Sequence, residues 1–305
     1  MKIGFIIPSY PGEKRVGLLP QHLGYISPEN ELRFEKGFGE TLDISDESYQ
    51  GMGGYSRQEV FKWADVIYSI KAPHQDDYEL FREEQSIVGW IYPASNLYAD
   101  VPFVEHCAKK KGLTIFDTDN RYLNGSWEKL NIPSDFLRGN NIIAGYASVS
   151  HAILLRGGIR KDEIVALLGS GNVALGALDY LSSRGIYPLL RRRSNIDKLI
   201  SEFPTYDIFI NTVSIANSDQ HIVTKQLLET MKPGGWIIDA ASDPNGAIEG
   251  THCTSLDNPI YHDEKGHTFY SVNNSPSLFY RESSEIISYG YSTFFWSKPM
   301  EYWFE

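Results

Sequence analysis

A short apolar run, Ile164 to Leu168, is followed by a turn with two glycines and then by residues that favour a helix. The turn has the spacing Gly-x-Gly-x-x-Ala, with small residues at Gly169, Gly171 and Ala174. This pattern is typical of dinucleotide binding, because the glycines permit a sharp turn and let a pyrophosphate approach the backbone, where the helix N-terminus attracts it. We therefore predict that a dinucleotide cofactor contacts Gly169, Ser170, Gly171, Asn172 and Val173.

A run of arginines follows the next predicted strand, Ile186 to Leu190. Sites for NAD usually carry an Asp or Glu about 20 residues after the first glycine, where it holds the ribose hydroxyls. Here Arg191 lies 22 residues after Gly169, and no acid occupies positions 189–193. Guanidinium groups hold a 2′-phosphate by charge-assisted hydrogen bonds. The pattern predicts NADP(H), with Arg191, Arg192 and Arg193 at its 2′-phosphate; the alternative is a solvated basic run.

The composition indicates the class of protein. A chain of 305 residues suits two domains, and its 42% hydrophobic and 22% charged residues are ordinary for a globular protein. The net charge of −11 disfavours a nucleic-acid partner, although a local arginine cluster still suits an anionic cofactor. Cys107 and Cys253 form no metal-spaced cluster, and no stretch is long enough to span a bilayer or serve as a signal peptide. We expect a cytoplasmic protein with no metal and no membrane partner.

Strand and helix patterns alternate along the first part of the chain, which predicts a parallel sheet with helices on its faces. The predicted strands are Ile3–Pro8, Glu31–Glu35, Val66–Ile70, Ser86–Tyr92 and Thr114–Asp117. The predicted helices are Ser56–Trp63 and Phe103–Lys111.

A polar stretch, Tyr122–Asn141, predicts an irregular connection between domains. A long helix, Ala144–Leu155, then leads into a second sheet that continues with strands Asp207–Asn211 and Trp236–Asp239. Strand and turn signals follow Ser271, and a final helix at about 283–295 is expected to return to the first domain.

Motifs spread along nearly the whole chain resemble the alanine dehydrogenase and transhydrogenase family, and more closely its N5-(carboxyethyl)ornithine synthase branch. Their order and spacing carry the resemblance; they include Pro11–Val16, Leu18–Pro20, Gly37–Gly39, Gly89–Trp90, Ala144–Ala147, Leu168–Ala174, Gly246–Gly250 and Pro276–Arg281.

The resemblance implies an α/β fold of two doubly wound parallel-sheet domains. A Rossmann NADP(H)-binding domain, 139–273, would be inserted into a discontinuous substrate domain, 1–138 with 274–305. Because relatives associate, we expect a homo-oligomer.

The resemblance also assigns roles to single residues. Arg15 matches the family arginine that binds the carboxylate of a 2-oxo acid, and Lys71 the lysine that polarises its carbonyl. Asp243 matches a family aspartate that transfers protons; Asp239 is the alternative, although a strand-end cap explains it as well. Asn274 matches an asparagine close to the nicotinamide. Tyr92 stands where the family has a catalytic histidine; it can donate a hydrogen bond but is a poor base unless a cation lowers its pKa.

The implied reaction is an NADPH-dependent reductive condensation that forms a CH–NH bond. The amine of an ornithine- or lysine-like amino acid would attack a pyruvate-like 2-oxo acid, and reduction of the resulting imine would give an N-(carboxyalkyl) amino acid. The nicotinamide is expected to face Arg15 and Lys71 in a cleft between the domains. Two alternatives stay open: an amino acid dehydrogenase that uses ammonia, and a non-catalytic paralogue that binds NADP(H).

Overall fold

The computed structural model describes residues 1–91, 101–118, 120–133, 135–215 and 220–303. The chain divides into two compact units, the first comprising Met1–Leu137 with Tyr280–Glu305 and the second Arg138–Phe279. The second boundary differs from the predicted one, because residues 274–279 lie in the second unit and not with the chain end. None of the described helices is long and apolar enough to cross a membrane.

The first unit is built on a sheet in which seven strands are described, in the order β2-β1-β3-β4-β5-β6-β7. Its strands are β1 (Lys2–Phe5), β2 (Glu31–Phe34), β3 (Val66–Lys71), β4 (Ser86–Trp90), β5 (Thr114–Phe116), β6 (Asn120–Leu123) and β7 (Ser126–Lys129). The first five in this order are parallel, and β6 and β7 add an antiparallel edge. Every residue of β3 and β4 is buried, as expected for parallel strands covered on both faces.

The hairpin β6–β7 overlaps the first part of the stretch Tyr122–Asn141, which was predicted to be an irregular connection, so that prediction was wrong there. Asn124 and Gly125 form its two-residue turn, and both have positive φ, 50° and 85°. Asn-Gly is the preferred pair for such a turn because both positions need the left-handed region. The polar composition of the flanking strands concealed this signal.

Helices cover the sheet of the first unit. Helix α1 (Arg57–Trp63) starts at a capping box in which Ser56 and Glu59 exchange hydrogen bonds. The predicted helix at 103–111 is divided into α2 (Val101–Phe103), a π-helical turn Val104–Ala108 and α3 (Lys109–Lys111).

The second unit is built on a sheet whose described strands run in the order β12-β13-β11-β10-β8-β9, all parallel except the edge strand β12. The strands are β8 (Val165–Leu168), β9 (Leu189–Arg191), β10 (Ile208–Asn211), β11 (Trp236–Asp239), β12 (Ile260–His262) and β13 (Thr268–Tyr270). Its helices are α4 (Arg138–Arg156), α5 (Asn172–Ser183), α6 (Ile196–Glu202) and α7 (Lys225–Leu228). Helix α8 (Tyr280–Phe294) belongs to the first unit. The two largely parallel sheets confirm the predicted α/β class.

Three details of the second unit differ from expectation. Strand β9 begins at Leu189, directly after Pro188 and three residues later than predicted. Strands β12 and β13 precede Ser271 and were not predicted. Beyond Ser271 the described chain forms a 3-10 helix, Ser275–Phe279, and no strand.

Helices α4 and α5 are held against each other by a pair of glycines. A Cβ added at Gly145 would overlap the carbonyl oxygen of Val173, and one added at Gly176 would overlap that of Ile142. Such backbone-to-backbone contact is open only to glycine. Because α5 begins at the glycine turn, this contact also fixes the start of that helix.

Replacing Gly176 by alanine should lower the free energy of unfolding by about 2–3 kcal/mol, because the new methyl meets backbone that cannot rotate away. The matched control is Gly171→Ala, where an added Cβ has nothing within 4 Å; its stability should stay within about 0.5 kcal/mol of the wild type. Chemical denaturation measures both. Equal stability of the two variants would refute the close packing of the helices.

Candidate functional site

Arg15 lies in the loop after β1, and only 4% of its surface is exposed. The loop packs on β3 at Gly17, where an added Cβ would overlap the ring of Tyr68. The hydroxyl of Thr41 donates to the carbonyl of Lys14 at 2.8 Å and fixes the loop from its other side. The backbone of the loop is therefore specified by close contacts rather than left as a solvent-exposed segment.

Glu13 is the partner that the sequence analysis did not assign to Arg15. Nε and Nη2 of Arg15 donate to the two oxygens of the Glu13 carboxylate at 2.7 and 2.6 Å, in a bidentate pair. Both side chains are buried, and the guanidinium stacks over Trp90 at 5.3 Å from the ring centre. Burial raises the pKa of Glu13, but the charge and hydrogen bonds of Arg15 outweigh it and hold that pKa below its usual value. Glu13 is thus ionised at neutral pH.

Lys71 is the last residue of β3 and is 3% exposed. The pairing of β3 with β4 shifts register between Tyr68 and Lys71, an irregularity that redirects side chains at a strand end. The ammonium lies 5.3 Å from the ring centre of Tyr10, and its charge also lowers the pKa of Glu13. Glu13, Arg15 and Lys71 are therefore electrostatically coupled, and we call them the charged cluster.

Serines of α8 hold the backbone next to Arg15. The hydroxyl of Ser284 accepts the N–H of Val16 at 2.8 Å, and that of Ser288 accepts the N–H of Leu19 at 2.7 Å. These hydrogen bonds join residues near the two ends of the chain. Their sequence signal is the four-residue spacing of serines on one helix, which the sequence analysis did not use.

A second network, centred on Arg57, ties together the segments beside the charged cluster. Arg57 forms a bidentate pair with Asp77 at 2.7 Å and an ion pair with Glu35 at 2.7 Å. It also donates to the carbonyl of Ile7 at 3.0 Å and to the hydroxyl of Ser9 at 2.8 Å. One guanidinium thereby fixes both the chain that leads toward Arg15 and the segment after Lys71.

Tyr92 and His74 are residues near Lys71 in sequence that could carry a proton in the first unit. Tyr92 lies outside the described residues, so its assignment remains a prediction. His74, a histidine three residues after Lys71, is half exposed, and its Nδ1 lies 3.1 Å from the carboxylate of Asp76. It also caps the 3-10 helix Gln75–Leu80. These contacts give His74 a local structural role.

The glycine turn of the second unit has the geometry that its sequence predicts. Gly169 has a φ of 122°, and a Cβ there would overlap the hydroxyl of Thr212. A Cβ at Gly171 would meet nothing within 4 Å, which leaves open space above the turn. Gly171 is the N-cap of α5 and supplies no side-chain hydrogen bond, so the first N–H groups of the helix are available to an anion.

The three arginines after β9 differ sharply in their surroundings. Arg191 is 6% exposed; its Nε donates to the hydroxyl of Tyr206 at 2.9 Å, and its Nη2 forms an ion pair with Glu202. Its backbone carbonyl accepts the N–H of Gly169 at 2.9 Å, which places the end of β9 beside the glycine turn. Arg192 and Arg193 follow directly and are exposed. All three arginines were predicted to bind the 2′-phosphate, and no sequence pattern marks Glu202 as the partner of Arg191.

Arg138, the first residue of α4, was also not anticipated. Its Nε lies 3.3 Å from Oδ1 of Asn172, the first residue of α5. An exposed guanidinium therefore stands next to the glycine turn, although the two residues are 34 positions apart in sequence. No sequence motif marks Arg138, since its position depends on the packing of α4 against α5.

Asp239 and Asp243 lie together at the carboxyl end of β11, and both are buried. Oδ1 of Asp239 accepts a hydrogen bond from Asn211 at 2.8 Å. Burial raises the pKa of Asp239 to about 7 and the nearby Asp243 carboxylate adds to this, although the Asn211 hydrogen bond acts in the opposite direction. Ser242 between them has a φ of 53°, a left-handed conformation that is uncommon for serine and often accompanies functional sites. With this pKa, the Asp239 carboxyl is partly protonated at neutral pH.

Asn274 is fully buried in the second unit and precedes the 3-10 helix Ser275–Phe279. Its backbone carbonyl accepts a hydrogen bond from the N–H of Ser277 at 2.9 Å. The unit that contains the glycine turn therefore also contains Asn274. In the part of the chain that the structure describes, no three His, Cys, Asp or Glu side chains are grouped to hold a metal ion.

Two models of one protein family match the chain, one over each of the two sets of residues. The family model described as "Alanine dehydrogenase/PNT, N-terminal domain" matches residues 9–121, which include the charged cluster. The model described as "Alanine dehydrogenase/PNT, C-terminal domain" matches residues 160–298, which include the glycine turn. The two matches are separate and together cover most of the chain.

Individual relatives agree with these matches. The chain is 41% identical over 313 residues to an N(5)-(carboxyethyl)ornithine synthase of Clostridium botulinum strain Hall, covering 100% of this chain and 97% of the relative. It is 39% identical over 298 residues to that of Lactococcus lactis subsp. lactis strain IL1403, covering 94% of each. A solved L-alanine dehydrogenase shares the fold, with a TM-score of 0.73 at 21% identity over 96% of this chain and 88% of the other. The chain belongs to the alanine dehydrogenase/PNT family, in the branch of the N(5)-(carboxyethyl)ornithine synthases.

Proposed function

We propose that this protein is an NADPH-dependent oxidoreductase that joins a pyruvate-like 2-oxo acid to the amine of an ornithine- or lysine-like amino acid. The product is a secondary amine with two carboxylates, formed by loss of water and reduction of the imine. The observation that carries the proposal is the buried charged cluster, in which two cations surround one carboxylate. The similarity of the whole chain to N(5)-(carboxyethyl)ornithine synthases supports the choice of amine.

Four features of the second unit support a dinucleotide with a 2′-phosphate. The helix N-terminus at Gly171 offers N–H groups, and the space above Gly171 admits a pyrophosphate. Arg138 adds a positive charge beside the turn, at Asn172. Arg192 and Arg193 extend into solvent at the end of β9, where the adenosine ribose of such cofactors is bound. When bound, NADPH supplies the hydride that reduces the imine.

In the first unit, the charged cluster is proposed to bind and polarise the 2-oxo acid. The guanidinium of Arg15, oriented by Glu13 and Trp90, receives the substrate carboxylate. The ammonium of Lys71 stabilises the negative charge that develops on the carbonyl oxygen as the amine attacks. Both side chains are pre-oriented by packing, so little conformational entropy is lost when substrate binds.

Asp243 is proposed to exchange protons with the reacting amine. Asp239 acts through it, because a protonated Asp239 removes one negative charge from the neighbourhood of the Asp243 carboxylate. The hydrogen bond from Asn211 keeps Asp239 in place. Asp239 is therefore a positioning residue, whereas Asp243 contacts substrate. Asn274 is proposed to lie against the nicotinamide.

The direct test is a screen of 2-oxo acids against amines with NADPH, followed by absorbance and by mass identification of the product. Pyruvate with ornithine or lysine should consume NADPH and yield the N-(carboxyethyl) amino acid. Turnover with ammonia alone would identify an alanine-dehydrogenase-like enzyme. Tight NADPH binding without turnover of any pair would favour a non-catalytic protein.

Replacing Arg192 and Arg193 together by alanine should raise the Kd of NADPH tenfold or more and leave the Kd of NADH within about threefold, because each charge-assisted hydrogen bond to phosphate contributes about 1.5–3 kcal/mol. Calorimetry measures both constants. Arg138→Ala should instead weaken the two cofactors alike. Arg191→Ala is the control for structure: loss of the Glu202 ion pair should lower thermal stability. Equal losses for NADPH and NADH in the double variant would contradict the 2′-phosphate assignment.

Lys71→Ala should lower kcat by at least about 100-fold, since it removes the group that stabilises the developing oxyanion. The Kd of NADPH should change by less than about twofold. The control is Lys62→Ala, an exposed lysine at the end of α1 in the same unit, which should retain wild-type turnover. Stopped-flow kinetics and fluorescence titration give the two quantities. A kcat within tenfold of the wild type would remove Lys71 from the reaction.

The raised pKa of Asp239 predicts how stability depends on pH. The unfolded carboxyl titrates near pH 3.9 and the folded one at about 7, so between these values the folded state holds a proton that the unfolded state has lost. This group's contribution to stability is therefore complete below about pH 4 and decreases as the pH rises to 7. Asp239→Asn should flatten the unfolding free energy over that range. Parallel curves for variant and wild type would show that Asp239 is ionised in the folded protein.

A further inference from the structure

The charged cluster contains two cations and one anion. Arg15 and Lys71 each carry one positive charge, and Glu13 carries one negative charge because its pKa is held below the usual value. The sum over the three side chains is one positive charge. All three are buried, at most 4% exposed, so solvent screens their interaction with a bound anion poorly.

Glu13 is placed to control this sum. Both of its oxygens receive hydrogen bonds from Arg15, and its charge is felt by Lys71 as well, since Lys71 lowers its pKa. Any second negative charge on a ligand of Arg15 and Lys71 would therefore lie close to the Glu13 carboxylate. Two negative charges that lie close together repel strongly where the surroundings are of low dielectric constant.

We propose that Glu13 sets the charge specificity of the 2-oxo acid subsite, so that the subsite accepts acids with one negative charge and rejects dianions of the same size. This inference rests on the proposed function, because it takes the charged cluster to be that subsite. Glu13 acts through charge and through the orientation of Arg15; it is a specificity-determining residue and takes no part in bond making.

Two small anions separate charge from shape. Oxamate and oxalate have nearly the same size and planarity as pyruvate, but oxamate carries one negative charge and oxalate two at neutral pH. Calorimetric titration of the full-length protein with each anion gives the ratio of the two dissociation constants. The wild type should bind oxamate at least tenfold more tightly than oxalate.

Glu13→Gln raises the sum to two positive charges and should shift the ratio toward oxalate by tenfold or more. Glu13→Asp keeps the charge and should keep the preference for oxamate. The double substitution Glu13→Gln with Lys71→Gln returns the sum to one and should restore the wild-type ratio. A ratio in Glu13→Gln equal to that of the wild type would overturn the proposal, as would a wild type that prefers oxalate.

A variant that loses its fold does not remove the test. Thermal unfolding shows whether Glu13→Gln is folded; if it is not, Lys71→Gln lowers the sum to zero and should move the ratio further toward oxamate, and an unchanged ratio would count against the proposal. Binding is measured without turnover. Selective oxamate binding without turnover of any amine therefore supports the role of Glu13 while contradicting the proposed reaction, and binding of neither anion overturns the assignment.

Discussion

A buried guanidinium is the constraint around which the first unit is organised. Placing an arginine in the interior costs free energy unless its charge and its N–H groups are compensated. Here Glu13 supplies the opposite charge, and Trp90 supplies an aromatic face. The compensation is local and bidentate, so it also fixes the direction in which Arg15 points. In the proposed reaction this orientation prepares Arg15 for a carboxylate before the substrate arrives.

The surrounding structure maintains that arrangement from both ends of the chain. Ser284 and Ser288 on α8 bind the backbone just after Arg15, and Arg57 binds the backbone ahead of it. The register shift between β3 and β4 sets the position of Lys71 at the end of its strand, in the same unit. A functional side chain is most precise when elements of regular structure hold it, and here the loop is held by a helix and by a partly buried ion-pair network.

The second unit depends on close backbone contacts that only glycine allows. Gly145 and Gly176 set the separation of α4 and α5, and this separation brings Arg138 to Asn172. In the same unit, three consecutive arginines have different surroundings. Arg191 stabilises the end of β9 through its ion pair with Glu202, whereas Arg192 and Arg193 face solvent. Neighbouring arginines in the sequence therefore differ in burial and in partners once the chain is folded.

The sequence by itself determined most of the parallel strands and the glycine turn, since hydrophobic periodicity and the need for Gly169 at positive φ are local properties. The family followed from the order and spacing of the motifs along the chain. It also pointed to Arg15, Lys71 and Asp243 through the resemblance. Only the tertiary structure decided that Glu13 neutralises Arg15, that Arg191 is engaged by Glu202 and that Arg138 stands beside the turn. Those facts depend on how side chains pack once distant segments meet, and the burial that results also raises the pKa of Asp239.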